Sequence, residues 1–204
     1  MGKRLLAVLV LSLFIAAPVI AQDKPINSSQ SKNPNTDVLF DGTSLEQFRG
    51  YKNDDIGKGW KIVDGTLMFD GKSGGGDIMT KKQYDNFELT FEWKVAEGAN
   101  SGVTYRVSTG DPAPYFSGPE YQILDDAKHR DGKNEKTSAA ALYGLYKANG
   151  KSLKKVGEWN SAKIVLDGNK LEHWVNGKKV VSTELGSDDW NQRVEKERMR
   201  TSLR

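Results

Sequence analysis

Apolar and polar residues alternate along several short stretches of the chain. The clearest stretch is residues 87–95, where apolar side chains occupy every second position and polar side chains the positions between. Val103, Tyr105 and Val107 alternate with polar residues in the same way. A period of two predicts a strand with one face against a core and the other face in water. We therefore expect short, half-buried strands.

Turn-forming residues separate these stretches. Asp64-Gly65 lies between two apolar runs, and so does Asn176-Gly177. Both pairs are typical of the type I′ hairpin, whose two central residues need positive φ. No long amphipathic helix is indicated before Ser187, which is followed by two acids and predicts the N-cap of a terminal helix. Many short strands joined by Gly-rich turns indicate an all-β fold, an antiparallel sandwich or barrel.

The N-terminal residues have the composition of an export signal. Lys3 and Arg4 precede the apolar residues 5–16, and small residues precede position 22. This predicts a signal peptide, residues 1–21, cut after Ala21. The alternative is an uncleaved anchor, but the apolar run is shorter than the ~20 residues that a spanning helix needs. We expect an exported protein, periplasmic or secreted, with no membrane segment after cleavage.

The rest of the chain divides into three parts by composition. Residues 22–37 are rich in Ser, Asn, Gln, Lys and Pro and are predicted to be a flexible leader. Residues 38–190 carry the strand pattern and are predicted to form one domain, and residues 191–204 are a basic tail. There is no Cys, so stability must come from the core. The formal net charge is only +3, and we expect no nucleic-acid partner.

One polar stretch, PEYQILDDAKHR at residues 119–130, contains one of the two His of the chain. Alternate side chains of a strand share a face, so Tyr121 and Ile123 are expected in the core. Glu120 and Gln122 then fall on the opposite face. Carboxylate and amide groups held in fixed directions suit sugar hydroxyls, and the stretch is a candidate carbohydrate site.

The strand around residues 103–107 is expected to add to this face. By the same alternation, Thr104 and Arg106 point away from the core. If the two strands are neighbours, Arg106, Glu120 and Gln122 form one polar patch. The alternative is an ordinary solvent face, on which an Arg–Glu cross-strand pair contributes only ~0.2–1 kcal/mol.

Further polar residues with several possible roles follow. Asp125 and Asp126 lie at a strand-to-loop junction, where Asp often forms an Asx-turn. Beside His129 they also suit a divalent cation, although their spacing matches no strong motif. A cation is therefore left open, and no other cofactor is indicated. His173 has apolar neighbours and is expected to be a hydrogen-bonded core His, whereas Trp174 on the other face is expected to be an exposed stacking platform.

Several motifs occur in an order that resembles a known family. They are LFDGTSLEQF, YDNFELTFEWKVAEGANSGVTYRV, PEYQILDDAKH, ALYGLY, GEWNSAKIVLDGN and LEHWVNGKKVV. Over residues 38–190 the chain resembles the 3-keto-disaccharide hydrolase domain family, long labelled a domain of unknown function. The resemblance implies a concanavalin A-like jelly roll, a sandwich of two antiparallel sheets. It also implies an exported enzyme that acts on glycosides whose C3 hydroxyl has been oxidised to a ketone.

The implied reaction needs a base and an acid. A C3 ketone acidifies the C2 proton, whose removal is followed by loss of the C1 substituent, and addition of water makes the net result a hydrolysis. By the resemblance, the catalytic residues are His129, Asp125 and Glu120. The residues expected to contact the substrate, an oligosaccharide or glycoside, are Arg106, Gln122, Asp126, Tyr143, Lys155, Glu158 and Trp174.

The expected roles differ among these residues. His129 is the first choice for proton transfer, since its reference pKa lies nearest neutral pH. Asp125 is the alternative base, or the group that orients His129. Arg106 is expected to stabilise enolate charge, and Glu120 and Gln122 to hold hydroxyls.

Two other functions stay open, and the C-terminus departs from the family. A non-catalytic carbohydrate-binding jelly-roll module would use the same fold. An ordinary retaining glucanase is disfavoured, because no Glu-x-Asp-x-Glu array occurs. The family pattern continues past Trp190 to a Gly-rich segment and a late strand, whereas this chain continues with QRVEKERMRTSLR. The last strands and part of the site are expected to be missing, and the domain to be less stable than a complete member.

Overall fold

The computed structural model describes Leu6–Val10 and residues 36–202. The strands are β1 Leu6–Val10, β2 Phe48–Gly50, β3 Trp60–Val63, β4 Thr66–Phe69, β5 Ile78–Thr80, β6 Phe87–Trp93, β7 Asn100–Val107, β8 Glu120–Leu124, β9 Asn160–Asp167, β10 Lys170–Val175 and β11 Lys178–Glu184. They are followed by the helix α1, Asp188–Ser202. Short 3-10 helices lie at Pro114–Phe116 and Arg130–Lys133. The predicted all-β class is confirmed.

Two antiparallel sheets form the layers of a sandwich. We call the first, with strand order β1-β7-β8, the site sheet, and the second, with order β11-β10-β9-β6, the back sheet. Residues 140–143 run along the free side of β8, and the N–H of Tyr143 donates to Glu120 O at 3.0 Å. The pairs β2-β5 and β3-β4 form two small ribbons.

The core lies between the two sheets because their strands turn apolar positions inward. On the site sheet, Tyr121 and Ile123 are buried as the alternation predicted. The buried apolar residues that face them include Ile164, Leu166, Leu171 and Val175 of the back sheet. Full burial of a large apolar side chain contributes ~1.5–3 kcal/mol, so this contact holds the layers together and fixes which face of β8 is left for chemistry.

A buried polar contact also joins the layers. The hydroxyl of Tyr105 on β7 lies 2.7 Å from His173 Nε2 on β10, and His173 Nδ1 lies 3.3 Å from Ala140 O. The imidazole is fully buried, and this burial lowers the pKa of His173 to about 3. A neutral ring that donates from Nδ1 and accepts at Nε2 satisfies both contacts. The prediction of a hydrogen-bonded core His is confirmed.

The two hairpin turns have the predicted conformation. Asp64 and Gly65 have φ of 50° and 70°, and Asn176 and Gly177 have φ of 48° and 78°. Positive φ at both central residues is the requirement of a type I′ turn. The turns therefore set the register of β3 with β4 and of β10 with β11.

The terminal helix α1 begins where the sequence predicted it. Ser187 Oγ accepts the N–H of Trp190 at 3.2 Å, which is an N-cap contact. Arg193 donates to Asp189 at 2.8 Å and to Leu145 O at 3.1 Å. The first bond lies within the helix, and the second holds the helix against the segment that follows residues 140–143. Most of the predicted basic tail is thus helical in the described part of the chain.

Most of the predicted leader lies outside the described residues. The residues outside the described part of the chain include the proposed cleavage point after Ala21 and most of residues 22–37. Leu6–Val10 is described as a strand that pairs antiparallel with β7. Within the described residues, helices of the length and apolarity required to span a bilayer are absent. The signal peptide stays a prediction.

Candidate active site

The outer face of the site sheet carries a polar cavity. In the β7–β8 ladder, Thr104 lies opposite Glu120 and Gly102 opposite Gln122, so side chains at alternate positions of both strands share this face. The cavity has a volume of about 170 Å³. Its lining residues are Asp77, Asn100, Ser101, Gly102, Thr104, Pro114, Tyr115 and Glu120.

Glu120 is the carboxyl that the sheet itself places in this cavity. A Cβ at Gly102 would overlap Glu120 Oε1. The Glu120 carboxyl can therefore occupy this position only because residue 102 has no side chain. Burial, together with the nearby charges of Asp77 and Asp131, raises the pKa of Glu120 to about 8. A carboxyl with a pKa raised this far is largely protonated at neutral pH and is able to donate a proton.

A second carboxyl, that of Asp77, enters the cavity from a different element. Asp77 lies between the Gly-rich loop at residues 74–76 and β5, and its carbonyl accepts the N–H of Tyr51 at 2.8 Å. Burial raises the pKa of Asp77, and the charge of Lys52 opposes this shift. Asp77 was not among the residues predicted from the sequence. The one available signal was an acid between a glycine run and an apolar strand.

The amide of Asn100 is held in one orientation at the floor of the cavity. Gln122 Nε2 donates to Asn100 Oδ1 at 2.9 Å, and Asn100 Nδ2 lies 3.5 Å from His129 Nε2. Gln122 is only 1% exposed. It therefore lies beneath the cavity and orients Asn100, whereas the sequence predicted that it would face a sugar.

His129 lies behind Asn100 rather than in the cavity wall. Its Nδ1 accepts the N–H of Asp131 at 3.2 Å. A neutral imidazole that accepts at Nδ1 carries its proton on Nε2. In this arrangement His129 is a hydrogen-bond donor at Nε2 and has no free lone pair there to take a proton.

Tyr143 and Asp131 form the side of the site beyond β8. The hydroxyl of Tyr143 donates to Asp131 Oδ2 at 3.1 Å, and the Tyr143 backbone bonds that of Glu120. Tyr143, predicted to contact the substrate, is thus brought beside Glu120. Asp131 was not predicted, and its charge raises the pKa of Glu120.

Asp125 and Asp126 hold loops in place. Asp125 is 2% exposed, and its carboxyl accepts the N–H groups of Gly98 at 2.8 Å and Ala127 at 3.0 Å. Asp126 accepts the N–H of Ala139 at 2.7 Å and pairs with Lys151 at 2.6 Å. Neither belongs to the cavity lining. The arrangement of Asp125 is the Asx-turn alternative that its position after a strand allowed.

The structure does not bring Arg106 to the Glu120 face, so the predicted patch of Arg106, Glu120 and Gln122 is wrong. The β7–β8 ladder ends at Thr104, and Arg106 has a φ of 52°. This left-handed residue interrupts the alternation on which the prediction relied. The guanidinium instead donates to Gly168 O at 3.0 Å and lies 3.5 Å from Asp85.

Three other predicted substrate contacts lie away from the cavity lining. Lys155 and Glu158 bond each other in an exposed turn, where the Lys155 N–H donates to Glu158 Oε2 at 3.0 Å. Trp174 is half-buried on the back sheet, with the Nζ atoms of Lys163 and Lys179 4.7 and 5.6 Å from its ring centroid. The expectation of an open stacking platform at Trp174 is wrong, because the two lysine side chains cover the ring.

The cation left open by the sequence finds no obvious ligand set. Among the described residues, no group of three or more His, Asp or Glu side chains is arranged to hold a metal ion.

Comparison with known proteins gives this geometry a context. A protein from Bacteroides thetaiotaomicron named 3-keto-disaccharide hydrolase is 35% identical over 173 residues, which is 75% of this chain and 60% of the relative. The chain thus spans 60% of the length of that curated relative.

Solved structures from Parabacteroides distasonis share the fold. One, assigned to the glycosyl hydrolases, has a TM-score of 0.71 at 34% identity. The match covers 78% of this chain and 76% of the chain in that structure. A second structure with the same assignment has a TM-score of 0.57 at 32% identity, and the match covers 71% of this chain and 70% of the chain in that structure. The sequence profile of the 3-keto-alpha-glucoside-1,2-lyase-like domain matches residues 35–202. This match covers well over half of the chain, and the protein belongs to the 3-keto-alpha-glucoside-1,2-lyase-like domain family.

Proposed function

We propose that this protein is an exported enzyme that cleaves 3-keto-glycosides by eliminating the substituent at C1. The observation that carries the proposal is the pairing of Glu120 and Asp77, two acids with raised pKa values that line one cavity. Carboxyl groups whose pKa values are shifted in this way are typical of catalytic sites. Family membership supports this substrate class, and the predicted signal peptide supports export.

Asp77 is the proposed base. Its carboxylate takes the proton from C2, and the electron pair of the C–H bond moves into the enolate of the C3 ketone. A raised pKa makes this carboxylate a stronger base than a carboxylate in water. Asp77 replaces the earlier candidates because Asp125 is bound by backbone N–H groups and His129 presents Nε2 as a donor.

Glu120 is the proposed acid. As the enolate collapses, a C1=C2 double bond forms, the C1–O bond breaks, and the leaving oxygen takes the proton of Glu120. The product is an enone of the sugar together with the free alcohol. Water added across the double bond then gives the 3-keto sugar, so the sum of the two steps is a hydrolysis.

Asn100 is the proposed donor to the ketone oxygen. Its Oδ1 accepts from Gln122, so its N–H groups are the ones left to donate into the cavity. A donor that is oriented before the charge develops stabilises an oxyanion without reorganisation. Gln122 would then act by positioning Asn100.

The decisive experiment compares a 3-keto-disaccharide with its unoxidised parent. We expect cleavage of the keto compound alone, because only a ketone acidifies the C2 proton. Asp77→Asn and Glu120→Gln should each lower kcat/KM by about 10²–10⁴-fold, whereas Val156→Ala, an exposed control, should not change it. Cleavage of both compounds would indicate an ordinary glycosidase, and binding without cleavage would indicate a carbohydrate-binding module. Wild-type values for both acid variants would refute the assignment of roles.

A further inference from the structure

Two exposed aromatic rings lie at the rim of the cavity. Tyr115 and Phe116 belong to the 3-10 helix between β7 and β8, and they are 66% and 62% exposed. Their ring centroids are 4.9 Å apart and their planes are inclined by 26°. Tyr115 also lines the cavity together with Asp77 and Glu120. The pair is therefore continuous with the proposed catalytic acids.

The loop that carries these rings is anchored at several points. The hydroxyl of Tyr51 donates to Ser108 O at 3.0 Å and to Asp111 O at 3.2 Å. The N–H of Ser108 donates to Ser117 Oγ at 3.0 Å. A side chain at Gly118 would overlap the Tyr105 carbonyl oxygen, so the backbone passes close to β7 there. A ligand that contacts the rings would meet a preformed surface, which lowers the ordering cost of binding.

The size of the cavity leaves part of a substrate outside it. Its volume of about 170 Å³ is below the ~300–1,000 Å³ that encloses a typical drug-sized ligand. The keto sugar must occupy the part lined by Asp77 and Glu120, because these residues act on C1 and C2. The group attached at C1 then projects to the rim, where Tyr115 lies.

The chemistry of the rim favours a flat apolar group. The residues that flank the two rings, Ala113, Pro114, Ser117 and Gly118, offer a single side-chain hydroxyl, and Ser117 Oγ already accepts a backbone N–H. A second sugar would bring several hydroxyls that need partners. An aromatic ring needs none and stacks on Tyr or Phe.

We propose that Tyr115 and Phe116 form a leaving-group subsite that selects 3-keto-glycosides with an aromatic substituent at C1. The inference rests on the proposed function, since the keto sugar must sit beside Asp77 and Glu120. It adds a specificity that the reaction itself does not require.

The test varies the leaving group while the keto sugar stays the same. A phenyl 3-keto-glucoside, a 3-keto-disaccharide and a methyl 3-keto-glucoside are compared in the wild type and in the double variant Tyr115→Ala/Phe116→Ala. We expect the double variant to lose about 3–10-fold in kcat/KM on the phenyl compound. On the methyl compound the loss should be below about 2-fold. Tyr115→Phe, which keeps the ring, should retain the phenyl preference.

Each contrary result has a distinct meaning. Equal losses on all three compounds would overturn the subsite. Equal losses on the phenyl compound and the disaccharide would overturn its preference for an aromatic group. If the wild type cleaves none of the compounds, the proposed reaction fails, and calorimetric binding decides the subsite. Tighter binding of the phenyl than of the methyl compound, lost in the double variant, supports the subsite, and equal binding overturns it.

Discussion

Neighbouring residues determine the pKa and the position of the Glu120 carboxyl. A Glu in water titrates near 4.5, and burial with the charges of Asp77 and Asp131 raises the pKa of Glu120 to about 8. Gly102 leaves the space in which the carboxyl lies. A single residue is thus converted from a solvent-face charge into a candidate acid, and two substitutions test this conversion.

Glu120→Gln should remove the alkaline limb of the pH profile. An acid with a pKa of about 8 is active while protonated, so wild-type kcat/KM should fall about tenfold per unit above pH 8. Gln cannot titrate, and the residual activity of the variant should be flat over that range. Steady-state kinetics from pH 6 to 10 provide the measurement. An alkaline limb that persists unchanged in the variant would assign it to another group.

Gly102→Ala should lower activity without removing any functional group. The new Cβ would overlap Glu120 Oε1, so the carboxyl must move out of its position. A small displacement of a reacting group can cost ~10²-fold in rate. The matched control is Gly76→Ala, because a Cβ at Gly76 meets open space and its φ is not left-handed. Kinetics and thermal melts of both variants should show a selective loss in Gly102→Ala, and equal activity would count against the packing argument.

Alternation along a strand decides which side chains share a face. On β7 and β8 this rule holds in one part of the ladder and fails in another. Where the ladder is regular, from Asn100 to Thr104, alternation gives the correct face. Where β7 becomes left-handed at Arg106, it fails. On the inner face, the contact of Tyr105 with His173 joins the site sheet to the back sheet, and we expect it to contribute to stability.

His173→Gln should weaken the dependence of stability on pH. The folded-state pKa of His173 is about 3, below its ordinary 6.5, so the unfolded chain takes up a proton first as the pH falls. Stability is therefore complete above pH 6.5 and is lost as the pH falls toward 3. Between pH 7 and 5 this group should contribute a loss of about 2 kcal/mol.

Urea unfolding of both proteins at pH 7 and pH 5 isolates this contribution. Other titrating groups affect the wild type and the variant alike, so their difference reports His173. Gln retains a donor for Ala140 O and an acceptor for the Tyr105 hydroxyl. The same pH dependence in both proteins would show that the imidazole is not responsible.

For the molecule as a whole, the sandwich positions one polar cavity and leaves the N-terminus to be explained. Leu6–Val10 pairs with β7, whereas the composition of residues 1–21 predicts an export signal. Cleavage after Ala21 would remove β1 and leave β7 as an edge strand. Edge strands expose unpaired backbone groups, so processing would change the surface of the molecule beside the site.

The full chain expressed in a secreting bacterium should be recovered without residues 1–21. Intact-mass measurement and N-terminal sequencing should show a first residue of Gln22, because small residues precede that position. Replacing Ala21 with a bulky residue such as Trp should block processing. Recovery of the intact wild-type chain would favour a role for β1 in the folded protein.

The sequence was sufficient for features with a local physical cause. Period-two alternation follows from strand geometry and predicted the inward side chains of β8. Asp64-Gly65 and Asn176-Gly177 predicted their turns because few residues adopt positive φ. The motifs of the chain led to the family, and the apolar flanks of His173 predicted its burial.

The composition of the site depended on tertiary structure. Asp77 and Glu120 are 43 positions apart in the sequence and share a cavity only because the loop before β5 lies over the site sheet. Asp125 looked catalytic by its neighbours, but the folded loops use it to bind two backbone N–H groups. Arg106 left the predicted patch through one backbone angle. Alternation reports which side of a strand a residue takes, but burial, charge and distance arise only when separate segments pack together.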